Sequence, residues 1–132
     1  MDRLVAAHLD AEIRSDPAGA VAVYVEDVEH DPVGWPGGPI HGVDGVQKLY
    51  EQLTSDISTE SMTPTRQYYG DDFCVVEHDW TGTVPGSLLG IPGRGRRITF
   101  RILHVFEFRG GLISRENVWM DTGAIVAQLT AP

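Results

Sequence analysis

Basic residues are scarce in this chain: ten lysines and arginines stand against nineteen aspartates and glutamates, a formal charge of −9 at pH 7. Binding nucleic acid or an anionic membrane needs clustered cations against phosphate, so neither partner is expected. Arg94, Arg96, Arg97 and Arg101 do fall close together, but acidic neighbours dominate elsewhere. Cysteine is reduced to Cys74, which excludes an internal disulfide and fits a reducing compartment. No apolar run approaches the roughly 18 residues of a membrane span. The start, Met-Asp-Arg-Leu, lacks the basic-then-apolar pattern of a signal peptide, so a cytoplasmic location is expected. A phosphate loop is missing too, because Gly93-Arg-Gly-Arg-Arg97 has neither a strand before it nor the Lys-Ser/Thr that follows. His30, His41 and His78, with Asp31 and Asp79, show no chelating spacing, so no metal is expected.

What is present is enough apolar material for one core. At 132 residues and 42% hydrophobic content, a single globular domain over residues 1–132 is expected and disorder is not. Helical periodicity runs through residues 2–14, with Leu4, Val5, His8 and Leu9 on one face. Asp16-Pro17 reads as a cap and first helical position, opening a short helix from Ala18 to about Tyr24. A third helix is expected from Gly42 to about Leu53. From residue 62 the period changes to two, and strands are expected at about 63–69, 73–82, 97–108 and 112–121. Arg109-Gly110-Gly111 joins the last pair as a hairpin. Helices first and an antiparallel sheet afterwards is the α+β pattern.

Three side chains are candidates for chemistry. Val25 to Glu29 reads as a short strand, followed by His30-Asp31-Pro32-Val33-Gly34. Pro32 holds Asp31 extended, a way to fix one carboxylate at the mouth of a fold. The competing reading is an acidic strand end entering a turn. His104 shares a strand face with Ile98, Phe100, Ile102 and Phe106, while Arg97, Thr99 and Arg101 take the wet face. A buried imidazole needs a partner or a task, since an unpaired polar group there costs about 1–3 kcal/mol. His8 lies in the apolar stripe of the first helix, again either a boundary residue or a working one.

The block Val25-Glu-Asp-Val-Glu-His-Asp31-Pro-Val-Gly, then Pro39-Ile-His-Gly42 and Leu49-Tyr50, resembles the base-bearing segment of ketosteroid isomerases. Thr81-Gly through Gly90-Ile-Pro92, Ile98 to Phe108 and Gly111-Leu-Ile-Ser resembles the SnoaL-like polyketide cyclases of the same nuclear transport factor 2-like superfamily. The resemblance implies a cone-shaped curved antiparallel sheet with N-terminal helices on its concave face. It places Asp31 at the general base, His104 at the inward donor to the substrate oxygen, and His8 near the oxyanion tyrosine. Substrate contacts are expected from Trp35, His78, Trp80, Phe100, Ile102, Phe106, Glu116, Val118 and Met120. Val118 stands where aldol cyclases and limonene epoxide hydrolases carry an acid, and His78 and Trp80 replace the Arg and Asp of the latter. Asp121 falls by parity on the opposite strand face.

The function this implies is cofactor-independent acid–base chemistry on a hydrophobic carbonyl compound, isomerase-like or cyclase-like. A non-catalytic ligand- or partner-binding module and an epoxide-opening enzyme are the alternatives. A homodimer is expected through the outer sheet face, with Trp119, Asn117 and Val105 as contacts.

Overall fold

The computed structural model describes residues 1–132. Three helices come first or nearly so: α1 (Asp2–Ile13), α2 (Pro17–Val21) and α3 (Val43–Asp56), with β1 (Tyr24–Val33) and β2 (Ile40–His41) between the second and third. Then follow β3 (Ser58–Tyr69), β4 (Phe73–Val84), the two-residue strands β5 (Ser87–Leu88) and β6 (Ile91–Pro92), β7 (Arg96–Arg109), β8 (Leu112–Met120) and α4 (Thr122–Thr130). The main sheet runs β2-β1-β8-β7-β4-β3, antiparallel except for the parallel pair β1–β8.

Local chemistry accounts for these boundaries. The Asp16 side chain accepts the Gly19 N–H at 3.0 Å and Pro17 takes the first helical position, so α2 begins as its residues dictate. It stops at Val21, short of the expected Tyr24, because Val23 and Val25 favour an extended chain; Tyr24 opens β1 instead. Gly42 caps α3 with φ +89°, a conformation costly for any residue with a Cβ. β3 starts at Ser58, earlier than its weak alternation predicts, because it is an edge strand with only Thr59 and Met62 partly covered. Pro64, which has no N–H to donate, is tolerated there. The last helix, α4, was not expected: Asp121 is its cap, accepting from the Ala124 N–H at 3.1 Å.

Strand β7 alternates as its sequence demands, with Ile98, Phe100, Ile102, His104 and Phe106 buried. Two apolar clusters result. One joins α1, α2, α3 and β1 to β4, β7 and β8 around Val28, Val46 and Phe106. The other gathers Trp80, Ile98 and Val118 under Ile125 and Leu129 of α4.

Candidate active site

The cavity opens where the two clusters meet, and encloses about 620 Å³ of empty space including its mouth. Trp35, Trp80 and Phe100 supply aromatic walls, with Trp80 and Phe100 stacked at 4.8 Å. Ile102, Val118 and Met120 supply aliphatic ones, and α3 adds Leu49, Tyr50 and Leu53. Four polar side chains on the sheet or first helix also reach it: His30, His104 and Glu116 from the strands, and Glu12 from α1 beside them. Two of the expected lining residues lie elsewhere. Phe106 packs beneath His104, ring to ring at 5.3 Å, and His78 meets the far side of His104 edge-on at 5.6 Å.

Asp31 does not reach the cavity. Its carboxylate accepts from Arg115 at 2.9 Å and from the Asn117 amide at 3.1 Å on the outer face of the sheet. The cause is pleat parity: Val28, His30 and Pro32 are buried while Glu29 and Asp31 are half-exposed, so adjacent residues leave by opposite faces. The residue that faces inward beside Asp31 is His30. Strand register pairs His30 with Glu116 and Asp31 with Asn117, repeating the same division on β8.

Glu116 is completely buried and stands at the centre of a polar network. Its Oε2 accepts from Tyr50 at 2.7 Å and from Tyr24 at 3.0 Å, and His30 Nε2 lies 2.6 Å from it. Its Oε1 lies 2.8 Å from His8 Nε2, which also approaches Glu12 at 3.3 Å. The other nitrogen of His8, Nδ1, is 2.7 Å from the Ala20 carbonyl. A carbonyl can only accept, so Nδ1 carries a proton, while Nε2 lies 3.1 Å from the Tyr50 hydroxyl and against two carboxylates whose charge favours the cation. Burial opposes that charge, but Glu116 first and Glu12 second outweigh it and hold the His8 pKa well above its ordinary value. Burial equally opposes the Glu116 charge, and His8 and His30 hold the carboxyl well below its usual range. Burial and the Glu116 charge push both tyrosines upward, so they remain donors.

The tautomer of His30 follows from the same logic. Nε2 lies 2.6 Å from a carboxylate oxygen and 3.2 Å from the Tyr50 hydroxyl, and the tautomer with its proton there leaves Nδ1 as the acceptor. That nitrogen has no hydrogen-bond partner within the protein. His104 is a different kind of imidazole: burial pushes it down to about 3, so it stays neutral, and its Nδ1 is likewise unpartnered. His30 and His104 are two strand spacings apart and two residues along, roughly 10–12 Å between Cα atoms from standard sheet dimensions. His8, Glu12 and Glu116 bring one atom each within 4.8 Å of one another, a separation a divalent cation accepts. At 2.8 Å, however, His8 and Glu116 have the distance of a single charge-assisted N–H···O bond.

Of the candidates from sequence, the structure therefore brings His104, Glu116 and, behind Glu116, His8 together, and sends Asp31 away. Sequence reasoning missed His30, Tyr24, Tyr50 and Glu12 as members of the site. For His30 the signal was available, since alternation from Val28 points it inward.

No curated protein matches the chain. Among solved structures it is similar to a proposed polyketide cyclase of Xanthomonas campestris pv. campestris, at 20% identity over 97% of this chain and 95% of that one, with TM-score 0.82. A proposed SnoaL-like polyketide cyclase of Jannaschia sp. superposes with TM-score 0.85 at 16% identity over 98% and 91%. TerC, crystallised with polyporic acid, gives 0.78 at 20% identity over 98% and 97%. At such identities these likenesses establish the nuclear transport factor 2-like fold. The model of the SnoaL-like domain matches residues 5–116, most of the length, and the chain belongs to that family.

Proposed function

We propose that the protein is an acid–base enzyme that moves a proton on a hydrophobic carbonyl compound, as an isomerase or a cyclase, using its own side chains. The observation that carries this reading is the His30–Glu116 pair in the wall of an apolar cavity that also contains a neutral His104. His30 Nδ1 takes the proton next to the carbonyl. Glu116 keeps Nε2–H in place and stabilises the imidazolium that forms, the role an acid plays behind any catalytic histidine. His104 donates an N–H to the developing enolate oxygen, an interaction typically worth about 2.7–4 kcal/mol in the transition state. His8 and the two tyrosines keep Glu116 ionised and oriented, so its position does not depend on water.

The apolar and aromatic walls suit a flat hydrophobic substrate. The co-crystal of TerC with polyporic acid supports a cyclic ligand of that kind. The test is conversion of an unconjugated β,γ-enone steroid to its conjugated isomer, followed by ultraviolet absorbance, with His30→Gln alongside. General base catalysis is worth about 10²- to 10⁴-fold, so turnover should fall by at least the lower figure in the variant. Equal turnover in both proteins overturns the assignment of His30. Saturable binding without turnover, across a series of cyclic ketones, moves the reading to a ligand-binding module.

A further inference from the structure

Behind the wall that His104 gives the cavity lies a second hollow, between α1 and strands β3 and β4, enclosing about 830 Å³ including its mouth. Its sides are mostly apolar, Val5 and Leu9 from α1, Val76 from β4 and Met62 from β3, with Gln67 of β3 also bordering it. Met62 alone borders both hollows. One polar side chain reaches the inner end, His78, which is 1% exposed. Its Nδ1 is buried and has no hydrogen-bond partner, and its cross-strand neighbour on β3 is Pro64, which has no N–H to offer. A buried nitrogen without a partner costs stability, and a fold that retains one leaves it for something else to bind.

We propose that this second hollow is a binding site for a small, neutral aromatic alcohol or phenol, held by a hydrogen bond from its hydroxyl to His78 and by packing against Val5, Leu9 and Val76. A hydroxyl both donates and accepts, so it satisfies His78 in either neutral tautomer. Burial favours that neutral ring. The rim excludes anions, since Asp2 and Asp10 border it and the chain carries −9 overall. Neither rim carboxylate awaits a cation, because Asp2 accepts from the Tyr69 hydroxyl at 2.6 Å and Asp10 pairs with Arg14 at 3.3 Å. The site is separate from the proposed catalytic one and stands without it.

The experiment is a titration of protein carrying ¹⁵N-labelled histidine with 2-naphthol, naphthalene and 2-naphthoate, read from the ring nitrogen resonances. 2-Naphthol should move the His78 signals and bind at least tenfold more tightly than the other two probes. In His78→Phe the preference for 2-naphthol over naphthalene should vanish. Ala6→Trp, at an exposed helical position on the rim, should weaken 2-naphthol at least tenfold while the fold persists. Movement of His104 signals without His78, equal affinity for 2-naphthol and naphthalene in the wild type, or unchanged binding in Ala6→Trp each overturns the proposal.

Discussion

His30 and Glu116 meet at 2.6 Å between Nε2 and Oε2, brought side by side by the only parallel strand pair in the main sheet. Their neighbours Asp31 and Asn117 meet on the opposite face. The two pairs divide the work of one stretch of chain, polar chemistry inward and an ionic cluster with Arg115 outward.

That division separates two substitutions one residue apart. Asp31→Asn should leave turnover of a reactive ketone within a few-fold of wild type. Its cost in stability should be about 1 kcal/mol or less, because the ion pair it weakens is partly solvated. His30→Gln should lower kcat about 10²-fold or more and leave ligand affinity nearly intact. Parallel kinetics and urea unfolding on the two variants check this. The reverse pattern would return the base to Asp31.

Glu116→Gln should be the most destabilising single change in the site. It removes the partner of a buried His8 cation and sets an amide against tyrosine donors. Breaking a buried pair from one side typically costs about 3–5 kcal/mol. For a domain of this size the melting temperature should fall by about 10 °C or more. Calorimetry reads this directly, and a shift of only a degree or two would mean that the carboxyl is not charged in the folded protein.

Acid should destabilise the protein through His104 before it reaches the carboxylates. Burial lowers this imidazole from 6.5 to about 3, so the unfolded chain takes up a proton that the folded one refuses. Stability is therefore full above pH 6.5 and is lost as pH falls below it. Between pH 7 and pH 5 the loss attributable to His104 is about 2 kcal/mol. Unfolding free energies of wild type and His104→Phe at the two pH values should differ in that sense, the variant losing less. His8 works in the other direction. Its raised pKa gives stability that is present below pH 6.5 and lost as pH rises toward the folded value, so the maximum should lie near neutrality.

Trp119 is half-exposed on the outer face, where Tyr68, Val75, Val105 and Asn117 lie in register across four strands. A homodimer through this face is the expected assembly. Sedimentation should show a dimer for the wild type and a monomer for Trp119→Glu, with thermal stability reduced by the loss of the interface. A wild-type monomer would leave that face without a role.

Composition and short-range pattern were enough to determine the class of this protein. Alternation along Ile98, Phe100, Ile102, His104 and Phe106 placed His104 inside, the stripe around Leu4, Val5 and Leu9 placed His8 inside, and Gly110-Gly111 closed the last hairpin. Each of these follows from the two or three residues on either side. Tertiary structure decided the rest. α4 escaped because Asp121-Thr-Gly reads equally as the end of a strand, and what makes it a helix is the burial of Ile125 and Leu129 against β7 and β6. Asp31 went outward because pleat parity runs from Val28, whereas its flanking prolines and glycines carry no information about which face is buried. The centre of the site was the least legible. Glu116 is ionised in the core only because His8, Tyr24, His30 and Tyr50 arrive from α1, β1 and α3 to satisfy it. The cost of burying a charge is met by partners distant in the chain, and no local pattern records which ones they are.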